Sequence, residues 1–346
     1  SAMRHWRRAL IVAAVLSLLA AALGYGTWRK VFGPGPELGR AERVLLIPTG
    51  ALFDQVVDSL KGAGLVGDEA ALRWLAGRKN YVSRIRPGRY VIASGTSLNA
   101  LLNRLRSGEQ DPVRVTFTNI RTLPQLAGQV ARYVEADSMA MLAAMTDHGL
   151  IARLGLRPET MIGMFLPNTY EVWWTERPEA FIERMEREHG RFWNGDRKAK
   201  AAALGLSPME VSTLASIVQA ETAKRDEAPM IAGVYLNRLR IGMPLQADPT
   251  LKFALGLDSV NRVLDADKRV DSPYNTYTHP GLPPGPINMP EPGHIDAVLN
   301  ATKHDHLYFC ARETLDGYSN FARTYEQHLV NARRYQRALN ARGIYR

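Results

Sequence analysis

The pattern of apolar positions changes twice along the chain, and each change predicts a different kind of element. Residues 9–28, ALIVAAVLSLLAAALGYGTW, carry no charge. Their number matches the roughly 20 residues a helix needs to cross a bilayer. Residues 31–43 then turn to Gly, Pro and charge, the texture of a linker. From residue 44 the period shortens. Residues 44–48 (VLLIP) read as a strand and 86–92 (RPGRYVI) as a turn and strand, while Leu52, Val56 and Leu60, residues 70–76 and residues 98–106 read as helices, the last stopped by Gly108. Residues 113–118 (VRVTFT) begin a second strand, helix, helix series, with helical spacing at Leu123, Leu126, Ala127 and Val130 and again over 138–145. A weakly duplicated module is one reading of this repeat of order.

Beyond about residue 155 the segments become aromatic and Pro-rich. FLPNTYEVWW (165–174) predicts a loop and strand, 178–189 an amphipathic helix, 227–240 a helix ended by Gly242, and 325–339 a C-terminal helix after a buried strand at 307–311. Residues 243–250 and 271–287 are too Pro-rich for regular structure and predict folded loops. The whole is α+β.

The strongest single signal is SPMEVSTLASIVQAET, residues 207–222. Ser207 offers an N-cap, Pro208 fits the first helical position and Glu210 completes a capping box. Val211, Leu214, Ala215 and Val218 draw an apolar stripe, and Glu221 falls on it. A carboxylate against Ile217 and Val218 and near the carbonyl end of a helix is disfavoured as an anion, so its pKa rises toward that of a general acid. The competing reading is an ordinary solvated glutamate kept ionised by Lys224 and Arg225.

Composition narrows the setting. Ser1 and Ala2 ahead of Met3 read as an expression remnant. Arg4, Arg7 and Arg8 favour a cytoplasmic tail (1–8) before a single-pass membrane helix (9–28), placing the remainder outside the cytoplasm, although Arg29 and Lys30 weaken the bias. A cleaved signal with Ala20 and Ala22 at its processing site is the rival. Cys310 is the sole cysteine and excludes an internal disulfide. The net charge of +10 invites nucleic acid, but the Lys and Arg are scattered through helical patterns with no recognition motif, and solvated faces or an affinity for anionic lipid or wall polymer fit better.

A raised-pKa glutamate is the device that protonates a glycosidic oxygen. A hydrolase also needs a second carboxylate, for which Asp248 and Asp271 are candidates. Tyr274, Asn275, Tyr277, Asn168, Tyr170 and Gln246 supply the aromatic faces and amides that bind sugars, though each taken singly reads as a loop or packing residue. His304 and His306 read as a surface pair rather than a metal site, since no H-E-x-x-H accompanies them.

LASIVQAET, AGVYLNRLRIGMPLQADPT, SPYNTY and GLPPGPI, in this order, resemble the endolytic murein transglycosylase, or YceG-like, family, as do IPTG, RPGRY and FLPNTY upstream. The resemblance covers most of the chain. It implies an inner-membrane anchor, a linker over 29–43, a LysM-like module over 44–112, a second small module over 113–154 and a mixed α/β catalytic domain over 155–346. It also implies Glu221 as the catalytic residue, with no second carboxylate; Asn168, Tyr170, Gln246, Asp248, Tyr274, Asn275 and Tyr277 stand as substrate-binding candidates on their own chemistry, and no metal or cofactor is expected. The implied substrate is the peptidoglycan glycan strand, cut without water to leave 1,6-anhydro ends, with wall-synthesis enzymes as partners. A tethered wall-binding scaffold with no catalytic activity is the alternative. A cytoplasmic aminodeoxychorismate lyase would need a pyridoxal phosphate lysine, which no motif marks.

Overall fold

The computed structural model describes residues 2–256 and 265–343, and the chain forms two compact units. The first unit holds residues 1–114 with the short segments 133–135 and 171–176. Its first element, α1 (Ala2–Phe32), is longer than the apolar run alone. The part from His5 to Phe32 is long and apolar enough to cross a membrane. A helix of this kind at the N-terminus fits a membrane-anchored, single-pass protein.

The expected linker begins as helix. Val31 is 3% exposed and belongs to the core of the unit, while Lys30 pairs with Asp68 at 2.7 Å. The Gly/Pro segment that follows is strapped down rather than loose. Gly35 N donates to Gly95 O at 3.0 Å and Leu38 N to Ser94 Oγ at 3.0 Å. A Cβ on Gly35 would meet Thr96 O at 2.0 Å, so only glycine allows this approach.

The rest of the unit runs β1 (Glu42–Ile47), α2 (Phe53–Gly62), α3 (Glu69–Arg78), β2 (Gly88–Ala93) and α4 (Leu98–Ser107). The two strands pair antiparallel, Val44 opposite Val91. Leu45 and Ile47 alternate inward from β1 and Tyr90 and Ile92 from β2, where they meet Val57, Leu60, Leu72 and Leu102 from the helices. Gly108 adopts φ 77° and ends α4 as its position in the sequence predicts.

The second unit starts within β3 (Val113–Phe117) and continues through α5 (Leu123–Ala131), α6 (Ser138–Met145), α7 (His148–Arg153) and a 3₁₀ turn over Pro158–Met164. β3 pairs with β4 (Asn168–Val172). There Phe117 stacks on Tyr170 with centroids 5.3 Å apart. Next come α8 (Pro178–Phe192), α9 (Gly195–Ala203), α10 (Pro208–Glu221), α11 (Ala228–Arg240), α12 (Asp248–Leu255) and α13 (Pro292–Leu299). The hairpin β5 (Tyr308–Ala311) and β6 (Ser319–Ala322) and the helix α14 (Tyr325–Ala341) complete the order.

α10 is the core of this unit. Ser207 and Glu210 form the capping box reciprocally, Glu210 N to Ser207 Oγ at 3.2 Å and Ser207 N to Glu210 Oε2 at 2.8 Å. The helix is not amphipathic, because every residue from Val211 to Val218 is buried. Ser212 keeps a buried hydroxyl without a partner among the described residues, whereas Thr213 and Ser216 bond locally or hold a neighbouring loop. Thr213 Oγ1 donates to Met209 O, and Ser216 Oγ accepts from Ile287 N at 3.0 Å while Ser216 O accepts from Asn288 Nδ2 at 2.9 Å. The strand expected over 307–311 differs in burial: β5 is half-exposed, Cys310 included.

Because the Ser207 hydroxyl is the acceptor for Glu210 N at the start of α10, Ser207→Ala should lower stability by about 1 kcal/mol. The check is a shift of the denaturation midpoint with an unchanged slope.

Candidate functional site

α10 carries Glu221 on its last turn, where no further helix follows to screen the carboxylate. The residue as a whole is half-buried. Burial lifts its pKa from the usual carboxylate range to about 7. The Asp248 carboxylate pushes in the same direction, whereas a hydrogen bond from Tyr235 and the charges of Lys252 and Arg238 pull back. Lys224 and Arg225 do not neutralise it. Lys224 Nζ lies 4.8 Å over the Tyr318 ring, and Arg225 pairs with Glu291 at 3.1 Å.

Tyr235, a residue with no catalytic signal of its own in the sequence, is the direct partner. Its hydroxyl donates to Glu221 Oε1 at 2.7 Å. α11 presents it from the core, with the ring edge-on to Phe309 at 5.8 Å and 1% of the residue exposed. Burial and the adjacent Glu221 raise the phenol well above its ordinary pKa, so it remains a donor at neutral pH.

The next two residues of that helix's inner face hold the surrounding loops. Arg238 Nε donates to Leu307 O at 2.7 Å and Nη1 to Leu245 O at 2.6 Å. Asn237 Nδ2 donates to His304 O at 2.9 Å and His306 O at 3.0 Å. Gly233 lets this segment close on the helix, since a Cβ there would meet Thr302 O at 2.6 Å. His304 is thereby used structurally: its Nδ1 accepts from His306 N at 3.0 Å and its Nε2 faces Met230 O at 3.0 Å.

The two Pro-rich loops fasten to each other. Gln246 N donates to Thr276 O at 3.0 Å and Ala247 N to Thr276 Oγ1 at 3.0 Å. Gln246 is held at φ 53°, a left-handed conformation that leaves its amide side chain exposed. Residues 248–250, expected as loop, instead start α12, because Pro249 falls in the first turn where its missing N–H costs nothing. Asp248 thus sits at a helix N-terminus, favourable for an anion. Its Oδ1 accepts from Tyr277 OH at 2.6 Å.

The candidates named from sequence therefore divide. Glu221, Asp248 and Tyr277 act on one another electrostatically, and Gln246 is beside them in the loop. Tyr274 packs on Phe253 of α12 at 4.7 Å between centroids and lines an apolar cavity of about 370 Å3. Asn275 is fully buried, its amide donating to Lys268 O and Val270 O and accepting from Tyr277 N. It shapes the loop that aims Tyr277. Tyr170 is buried on β4 with its hydroxyl on Leu166 O at 2.7 Å, and Asn168 is exposed on the same strand with its carbonyl on Thr169 N. Among the described residues no hydrogen bond or ring contact links either to Glu221. Asp271 is exposed.

The profile of the YceG-like family matches residues 45–334. An endolytic murein transglycosylase of Streptococcus pneumoniae R6 is 30% identical over 317 residues, covering 82% of this chain and 56% of the relative. A Bacillus subtilis protein of the same name is 29% identical over 300 residues, covering 82% and 81%. The chain thus spans just over half the length of the pneumococcal relative. A crystal structure of a Listeria monocytogenes protein described as yceG-like aligns with TM-score 0.56 and 25% identity, over 84% of this chain and 98% of that one.

Two outcomes test the electrostatics. Tyr235→Phe removes a donor that favours the carboxylate, so the pKa of Glu221 should rise above 7, as read by carboxyl infrared titration. Glu221 binds a proton more tightly folded than unfolded, so its ionisation erodes stability as pH climbs from the ordinary carboxylate range through about 7. Glu221→Gln should then stabilise the protein at pH 8, by on the order of 3 kcal/mol, and have little effect at pH 4. Equal effects at both would contradict the raised pKa.

Proposed function

The chain belongs to the YceG-like family, and on that premise we propose that it is an endolytic murein transglycosylase with Glu221 as its catalytic acid and base. The observation that carries this reading is a carboxyl group with a pKa near 7 at the end of a buried helix, hydrogen-bonded to one phenol. At neutral pH about half of such groups hold a proton. In the proposed reaction Glu221 gives that proton to the glycosidic oxygen between N-acetylmuramic acid and N-acetylglucosamine as the C1–O bond breaks. The carboxylate then takes the proton of the muramyl C6 hydroxyl, whose oxygen bonds to C1. The 1,6-anhydro ring forms, the proton returns to Glu221 and no water is consumed.

Tyr235 keeps the carboxyl aimed and limits how far its pKa climbs. Asp248, held by Tyr277, supplies a fixed negative charge that keeps Glu221 protonated before the cut and favours positive charge at C1 as the bond breaks. Tyr274 and Gln246 offer a ring and an amide for the sugar. Asn168 and Tyr170 belong to the substrate-binding proposal as a more distant part of it. The first unit is proposed as the LysM-like glycan-binding part, followed by the smaller 113–154 module and the catalytic domain from 155. The cell inner membrane, a cytoplasmic N-terminus and wall-synthesis partners complete the reading.

The test is mass spectrometry of muropeptides released from purified sacculi. Products one water lighter than reducing-end sugars, abolished by Glu221→Gln in a folded protein, are expected. Reducing ends instead would indicate a hydrolase with Asp248 as the second acid, and no product from a protein that still binds glycan would indicate a scaffold. Because the protonated form starts the reaction, kcat/KM should fall about tenfold per pH unit above 7, and Tyr235→Phe should move that limb to higher pH.

A further inference from the structure

The membrane end of α1 forms one wall of a cavity of about 290 Å3 in the first unit, and no step of the proposed cleavage uses it. Arg29 and Lys30 line it together with Gly67, Leu65, Val66 and Leu98, of which Leu65 and Leu98 are buried and Gly67 is exposed. The two cations are not equivalent. Lys30 is neutralised by Asp68 at 2.7 Å, whereas Arg29 is exposed and, among the described residues, makes no ion pair.

The depth of the cavity follows from helix geometry. Residues 9–28 separate Arg8 from Arg29. Twenty residues of α-helix rise about 30 Å, which is the thickness of the bilayer hydrocarbon core. When α1 spans a membrane, Arg29 therefore stands at the level of the lipid phosphates. Tyr25, Trp28 and Phe32 form a continuous aromatic run on the helix, with neighbouring centroids 6.2 Å apart, as suits an interfacial anchor. The helix does not end at this level. It continues unbroken into the core of the unit through Val31, so the cavity is held at headgroup depth by the backbone itself.

We propose that this cavity binds the headgroup of one acidic phospholipid, its phosphate on Arg29 and its glycerol carbons against Leu65, Val66 and Leu98. A zwitterionic lipid is disfavoured because its ammonium group would meet Arg29, while the Asp68 carboxylate that might receive it is taken by Lys30.

The experiment uses the full chain, reconstituted in nanodiscs of equal phosphatidylglycerol and phosphatidylcholine and released for native mass spectrometry. The expected result is one retained phosphatidylglycerol, enriched about fivefold over phosphatidylcholine, the gain expected of one basic side chain at a membrane surface. Arg29→Gln should abolish the enrichment. Gly67→Leu, whose Cβ meets only Pro36 Cγ at 3.9 Å, should abolish it by filling the cavity with the charge intact. Arg8→Gln, the same loss of charge at the other end of the span, should leave it unchanged. Equal retention of both lipids, equal loss in Arg8→Gln, retention in Gly67→Leu, or displacement of the lipid by excess inorganic phosphate would each overturn the proposal.

Discussion

Removing a carboxyl group from water is unfavourable unless the proton stays with it, and the second unit is arranged around that constraint. α10 is buried along eight consecutive residues, so its C-terminal turn emerges from the core at a fixed point and angle. Glu221 is thereby held at the edge of the core by a helix whose preceding two turns are buried. The surrounding elements then supply a small set of counteracting influences: one phenol donor, one nearby anion and two cations at greater remove. The result is an acid balanced near neutrality rather than one fully neutralised.

The irregular segments around it are ordered by a different means. They have few regular ladders, so backbone groups are satisfied by side chains that reach out of the helices. Arg238 and Asn237 capture carbonyls of two loops, Thr276 captures two backbone N–H groups across the other pair, and Asn275 folds its own loop. Glu227 adds a buried connection, accepting from Ser319 N at 2.6 Å just beyond the turn that ends α10. These contacts join segments far apart in sequence at the place where Glu221 emerges.

Elements with local signals were legible in the sequence. The capping box at Ser207, the stop at Gly108 and the helices at 123–131 and 138–145 follow from spacing and cap chemistry, which act within a few residues. α12 was hidden because Pro249 reads as a breaker unless its place in the first turn is known. Glu221 was legible through its helix, but Tyr235 was not: an apolar-looking residue inside a buried helix acquires its role only from what it meets fourteen positions away. The amides of Asn275 and Gln246 look alike in sequence, yet one is consumed inside its loop and the other is exposed. The expected stripe on α10 failed for a related reason, since Ser and Thr can be buried when they bond to their own helix.

The helix α1 enters the first unit without a hinge, and this alters the dimensionality of its motion. A domain on a flexible tether explores a hemisphere and meets its ligands as though in bulk solution. A domain welded to its anchor keeps only lateral diffusion and spin about the membrane normal, so its encounters scale with molecules per unit area of bilayer. Anything lying beyond the reach of the unit is invisible to it however abundant, and whatever occupies the first layer above the lipid is sampled continually.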